Sequence, residues 1–584
     1  MHGFYGRYIK IDLSNTKFAI EAIGEDLLIK YMGGKGLAAH FLSELNPAGV
    51  DPLAPENSLL FLTGPLGGSV IWGSCRYGVY TKSPQTGLWT ESYSGGRTPD
   101  AIDAAGFDAI IIQGRVREPS VLAIHPEGVE FYAARDIWGM ETYGAEKAVN
   151  ERFGLSQYRK KGAVVIGPAG ENLVRFAVIG NDYWRCAGRT GVGAVMGSKK
   201  LKAILFQGNC ARTQFDERGV KKFTKMFFNT FKGHAATHAY RTLGTPMLVK
   251  TTNGVGAFPT RYWQEGTCQH WEKISGEALV SRCNVKPHSC LKCFMACGQL
   301  STIKEGRHAG LTLEGPEYET IYAFGGLCLI ENIEEIAYLN DICDRLGMDT
   351  ITAGNLCGFT IEAAKRGKVD YKIDYGQADA IAGLLHMIAR RKGIGDILAQ
   401  GIRFAAKEWN MEDIAVHVKG LEPAGYDPRV LKGMGLAYAT SDRGACHLRA
   451  TFYKAELSGM IPPEQIAGKA DLFLEFEDRL TIFDVLVLCR FYRDFYTWDK
   501  LGELLHLVTG LDGSEEELKS KARAIATLIR RFNVREGMKP EDDHLPKALH
   551  RRLKDSDKVI LEEELNVLLK DYYLLHGWDE DGIP

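Results

Sequence analysis

No run of roughly 18 apolar residues occurs in the chain, so no segment of it reads as a membrane-spanning helix. The opening MHGFYGRYIKIDL lacks the apolar core of a signal peptide, and a cytoplasmic protein is expected. An excess of charge of either sign is missing too. Against 71 Lys and Arg stand 73 Asp and Glu, net −2, so no bulk field draws the protein to nucleic acid or an anionic membrane. No fixed-period repeat or low-complexity tract appears, so the chain is not an array of small units. A Walker A loop is absent. The cluster Gly191-Val-Gly193-Ala-Val-Met-Gly197 lies late in its region and departs from the dinucleotide-binding fingerprint.

What is present is more specific. With 584 residues the chain is too long for one hydrophobic core, and about two to four domains are expected. Short runs at 8–13, 59–62, 76–81, 109–113, 121–125, 162–166 and 203–206, bounded by turn residues, predict strands; helices are expected at 24–42 and 143–153. From about 211 the texture becomes helical, with amphipathic patterns at 216–231, 316–329, 333–346, 377–391 and 396–408. A Pro- and Gly-rich stretch near 420 opens a third region. The expectation is an α+β protein: a β-rich N-terminal domain at 1–209, then two mostly α-helical domains at 210–418 and 419–584.

The 13 cysteines are odd in number and clustered, which points to metal or free thiols in a reducing compartment. Three fall within His288-Ser-Cys290-Leu-Lys-Cys293-Phe-Met-Ala-Cys297-Gly-Gln. If the segment after Pro287 is helical, Cys290, Cys293 and Cys297 share one stripe that suits three corners of an iron–sulfur cube. Zinc and plain burial remain as alternatives, although the usual second C-x2-C or His pair of a zinc site is missing. Cys268, Cys283, Cys328, Cys343, Cys446 and Cys489 compete as a fourth ligand. Cys489 ends an apolar segment, read as a helix, that would hold a thiolate in a dry interior.

Glycine-rich patches at Gly167–Gly170, Gly188–Gly197 and Tyr93–Gly96 read either as anion-binding nests, with Arg76, Arg185 and Arg189 beside them, or as packing turns. Glu314-Gly-Pro-Glu317-Tyr318-Glu319 opens a helix with three carboxylates, which usually serve as caps and dipole complements. His447 sits in a glycine-containing bend. Asp344 and Asp349 flank Gly347, which reads as a helix stop.

Taken in order, GRYIKIDL, DPLAPEN, TGPLGG, RYGVYTKSPQTG, AGFDAIII, GPAGENLVRFA, AGRTGVGAVMGSKKLKAI, the cysteine triad, EGPEYE, LGMDT, YDPR, RGACH and LHGW resemble the tungsten-containing aldehyde ferredoxin oxidoreductase family along the whole chain. That resemblance implies a β-rich base cradling one tungsten on two pyranopterins, bridged by Mg2+, with helical domains above; molybdenum binds the same dithiolenes. It implies that Cys290, Cys293, Cys297 and Cys489 hold one [4Fe–4S] cluster. It places Arg76, Gly95, Arg185, Gly188, Arg189, Asp344, Met348, Asp349, Arg449, Asp484 and Leu488 against pterin and phosphate, and the carbonyls of Tyr93 and Cys186 on Mg2+. Glu319 and His447, with Tyr318 and Tyr426 nearby, would line the substrate pocket where an aldehyde becomes a carboxylic acid.

There are departures from the archaeal pattern. An E-x-x-H iron site between subunits is replaced by Tyr338-Leu-Asn-Asp341, and Val487 stands where the family has glycine. These suggest a bacterial branch. Its implied partners are ferredoxin or a ferredoxin-like small subunit, and a flavin- and NAD-linked subunit, in an oligomer. Other readings are a tungsten subunit that reduces an aromatic acyl-CoA ring, a non-catalytic iron–sulfur subunit, and a zinc-stabilised binding protein.

Overall fold

The computed structural model describes residues 1–584. Twelve strands form two mixed sheets in its first part. The first holds β1 (Arg7–Asp12), β2 (Lys17–Ala22), β3 (Leu59–Leu62), β4 (Tyr77–Lys82), β5 (Trp89–Ser94) and β6 (Ala109–Gln113), in the order β2-β1-β6-β3-β4-β5. The second holds β7 (Ser120–His125), β8 (Gly128–Ala133), β9 (Lys160–Val165), β10 (Ile179–Asn181), β11 (Arg185–Ala187) and β12 (Leu201–Gly208), in the order β11-β10-β9-β12-β7-β8. Only β1·β6 and β7·β12 run parallel.

The sheets pack face to face. Ile9, Ile11, Phe61, Val79, Ile110 and Ile112 from the first meet Ile124, Val164, Ile204 and Phe206 from the second in one core. The period of two along each strand explains the sorting. Ile111 and Ala109, out of phase with Ile110, face the other way, onto the helices Gly34–Leu45, Lys469–Leu486 and Glu515–Arg535. The first sheet is therefore buried on both faces, which is why its central strands read as unbroken apolar runs.

The rest of the chain is mostly helical, around a large core in which Ile333–Leu346 and Thr350–Lys365 pack centrally. Gly347, at φ 79°, stops the first of these helices, and Asp349 caps the second by accepting from the N–H groups of Ile351 and Thr352. The expected helix 24–42 is two, Glu25–Tyr31 and Gly34–Leu45, broken at Met32 and Gly33. The one expected at 396–408 is also two, interrupted at Gly401. The stretch expected as helix 316–329 holds one short turn, Tyr318–Thr320, that widens into a π-helix, Ile321–Gly326. Such widened turns cluster at functional sites.

Two expectations about the cysteines are corrected. Residues 290–297 form no helix; they are the irregular connection between β13 (Cys283–His288) and β14 (Gly298–Ile303) of a three-stranded sheet completed by β15 (Thr312–Glu314). Lys292 and Ala296 take positive φ there, 55° and 46°, which no helix tolerates. Cys489 lies beyond its helix, which stops at Leu486. Val487 turns the chain at φ 54°, and the N–H of Cys489 donates to the carbonyl of Gly73 at 2.9 Å. The family's glycine fits that conformation without cost; valine holds it under strain.

Candidate active site

A cavity of about 390 Å³ opens between the sheets, the cysteine loop and the helical part. Arg76 and Tyr93 line it from the first sheet, and Arg185, Cys186, Gly188 and Arg189 from β11 and the turn after it. Cys290, Cys293 and Cys297 enter from the cysteine loop, and Tyr318 and Glu319 from the turn before the π-helix. Tyr426, His447, Arg449 and Cys489 close the far side.

The four thiols interact. Burial pushes the Cys297 thiol well up, and Cys489, Cys293 and Cys290 push it further. Cys290 accepts from Arg185 Nη1 at 3.1 Å, Cys293 lies 3.2 Å from the Tyr492 hydroxyl, and Arg76 Nη1 lies 3.9 Å from Cys489. No three His, Cys, Asp or Glu side chains converge tightly enough for a single metal ion. The thiols line a volume rather than meet at a point.

Glu319 and His447 face each other in the cavity, with Oε1 3.3 Å from Nε2. The other Glu319 oxygen accepts from the Gly425 N–H at 3.0 Å. Burial pushes the Glu319 carboxyl up to about 7, against the stabilising Gly425 bond and Arg189. Burial, then Arg189, Arg443, Arg490 and Arg493, hold His447 well below its ordinary value, so its ring is neutral at pH 7. Glu319 Oε1 and His447 Nδ1 are buried without hydrogen-bond partners. Tyr318 donates to the carbonyl of Gly425, and the Tyr426 ring stacks on Tyr453 at 3.9 Å between centroids.

A band of cations surrounds the pair. Arg449 Nη1 contacts Glu91 and sits 2.9 Å from Asp484, while its Nε and Nη2 are buried without partners. Arg490 also grips Asp484, and its Nε is unpartnered. Arg189 is fully engaged by protein, bonding Asp349 at 3.2 Å and the carbonyls of Ala445 and Glu422. Arg185 is shared between Cys290 and Glu314.

Six of the expected residues lie off the cavity wall. A Cβ on Gly95 would sit 2.7 Å from the Cys290 sulfur, so a side chain there would displace that thiol. Asp344 accepts from Asn340 at 2.7 Å, and Asp349 holds its cap and Arg189. Met348 is buried in a bridge to Ala177, Asp484 is held by two arginines, and Leu488 is buried among apolar side chains. The long glycine cluster splits in two. Gly188 lines the cavity, whereas a Cβ on Gly191, Gly193 or Gly197 would run into backbone carbonyls, so these three serve close packing.

Sequence reasoning missed Tyr453, Arg443, Arg490 and Tyr492, and the buried partners Glu91 and Lys35, which pair at 3.0 Å.

Residues 8–208 match the family model described as the N-terminal domain of aldehyde ferredoxin oxidoreductase, and residues 222–584 match the model of its domains 2 and 3. The chain belongs to the aldehyde ferredoxin oxidoreductase family. Membership makes it an oxidoreductase. The tungsten-containing aldehyde ferredoxin oxidoreductase of Thermococcus kodakarensis is 35% identical over 597 residues, covering 100% of this chain and 97% of the relative. That of Pyrococcus furiosus is 34% identical with the same coverage. The WOR-like subunit of an aliphatic sulfonate oxidoreductase from Pyrococcus furiosus is 29% identical over 630 residues, covering 100% and 96%. Among solved structures, the active-site complex of benzoyl coenzyme A reductase superposes with a TM-score of 0.86 at 23% identity, covering 100% of this chain and 96% of that one. That likeness concerns the fold. No helix is long and apolar enough to cross a membrane.

Proposed function

We propose that this family member oxidises aldehydes to carboxylic acids at a tungsten bis-pyranopterin and passes the electrons through one [4Fe–4S] cluster to ferredoxin or a ferredoxin-like subunit. The observation that carries the reading is the buried Glu319–His447 pair, 3.3 Å apart, facing the same cavity as four thiols.

The residues fit the groups. Four half-buried cysteines on the cavity wall, from two remote segments, suit an iron–sulfur cluster held by Cys290, Cys293, Cys297 and Cys489. The unpartnered N–H groups of Arg449 and Arg490 suit an anionic, polar guest. By the family resemblance, Arg76, Gly95, Arg185, Gly188 and Arg189 would meet pterin and phosphate, Asp344, Met348 and Asp349 would hold one pterin, Asp484 and Leu488 the other, and the carbonyls of Tyr93 and Cys186 the Mg2+. The tungsten centre, or molybdenum in its place, would supply the two-electron redox chemistry.

The chain manages the protons. Aldehyde plus water gives carboxylic acid, two electrons and two protons. Protonated Glu319 faces His447 Nε2, which leaves Nδ1–H free to donate to a carbonyl oxygen. Ionised Glu319 accepts from Nε2–H instead, and Nδ1 becomes a bare acceptor. One proton on Glu319 thus sets what the imidazole offers the substrate. Tyr318, Tyr426 and Tyr453 wall the pocket beside the pair.

Anaerobically purified protein should reduce a viologen dye on addition of aldehyde and contain about one tungsten and about four irons per chain. Dearomatisation of an aromatic acyl-CoA without aldehyde oxidation would move the assignment to ring reduction. A protein with iron alone would be an electron carrier.

A further inference from the structure

Tyr492 is the third residue after Cys489, in the turn Arg490–Tyr492, and its N–H donates to the Cys489 carbonyl at 3.0 Å. Its ring is fully buried and its hydroxyl lies 3.2 Å from the sulfur of Cys293, on the other cysteine segment. The Met295 N–H donates to the same hydroxyl oxygen at 3.3 Å. The surroundings are aromatic: Phe294 packs edge-on at 5.2 Å between centroids, with Phe227, Phe495 and Tyr496 beyond. With one lone pair taken by Met295, the hydroxyl proton has a single acceptor in reach, the Cys293 sulfur.

We infer that Tyr492 sets the reduction potential of the iron–sulfur cluster by donating its O–H to the Cys293 sulfur. The inference rests on the reading of the four cysteines as cluster ligands. A thiolate on iron carries no proton, so the hydroxyl is the donor. Reduction by one electron adds negative charge to the sulfurs, so the O–H···S bond is stronger in the reduced state and raises the potential. The aromatic surroundings keep water from substituting for it. The guanidinium donors, Arg185 at Cys290 and Arg76 at Cys489, act on other sulfurs. Tyr492 is a positioning residue: it touches a ligand of the relay and not the substrate.

The test is Tyr492→Phe in the full chain, purified anaerobically with its cofactors. Redox titration followed by the electron paramagnetic resonance of the reduced cluster should show the equilibrium moved about tenfold toward the oxidised form, or ~59 mV more negative for one electron. Iron content should stay at the parent level. A variant with full iron and an unmoved potential overturns the inference. The parent protein gives an independent reading. After exchange into D2O, the pulsed hyperfine spectrum of its cluster should contain a hydroxyl deuteron, and its absence overturns the inference whether or not the variant assembles. A parent protein without iron sinks the reading of the four cysteines, and the role of Tyr492 with it.

Discussion

Replacing Glu319 by Gln keeps the side chain's shape and its bond from Gly425 but removes the titrating proton. The carboxyl is raised from 4.5 to about 7 in this cavity. Ionising it there costs up to about 3 kcal/mol more than in water. If Glu319 accepts a proton during turnover, the parent's aldehyde oxidation should fall about tenfold for each pH unit below its folded value. The Gln variant should lose that limb and about 10²- to 10⁴-fold of its rate. Stability should move oppositely. The folded chain binds more protons than the unfolded chain between pH 4.5 and about 7, so the parent loses stability as pH rises through that window and stays lower above it. The variant escapes this loss, so in melts of cofactor-free protein it should match the parent near pH 4 and exceed it near pH 8. An unaltered pH–rate limb in the variant would refute the reasoning about catalysis. An equal melting difference at both pH values would refute the reasoning about burial.

Three further outcomes are expected. Cys489→Ser should leave iron below parent content and abolish the reduced-cluster resonance, measured by elemental analysis and spectroscopy; full retention of both would remove Cys489 from the cluster. Asp543 is fully buried, with Lys419 at 2.6 Å and both Arg530 and Tyr573 at 2.7 Å, so Asp543→Asn leaves two buried cations underpaired; a loss of about 3–5 kcal/mol should appear in chemical unfolding. Gly191 sits at φ 81° where a Cβ would meet the Arg175 carbonyl, so Gly191→Ala should lower the melting temperature and the cofactor content together.

The strands at 59–62 and 109–113 are legible to the residue because burial on both faces demands an unbroken apolar run. β2 is not, because all six of its residues are exposed and no buried face imposes a pattern on it. The cysteine loop shows how spacing misleads. Its i, i+3, i+7 pattern imitates a helical stripe, yet Pro287 lies in a strand and two residues at positive φ coil the loop. That Cys489 reaches the same cavity follows from the resemblance and not from the cysteine pattern. The same holds for Glu319 and His447, which no short-range periodicity connects. Glu91 and Asp484 meet Arg449, and Lys35 meets Glu91, only through tertiary packing, and scattered charges in distant segments do not announce one another.

The walls of the cavity are drawn from both ends of the chain, from Gly73 to Phe491. During synthesis the ribosome releases Cys489 only when most of the polypeptide has emerged. Until then the compartment has no far side and can enclose nothing. Any bulky guest must therefore be delivered to a nearly finished chain, and scarcity of that guest would show in the cell as completed molecules waiting to be filled, not as interrupted translation.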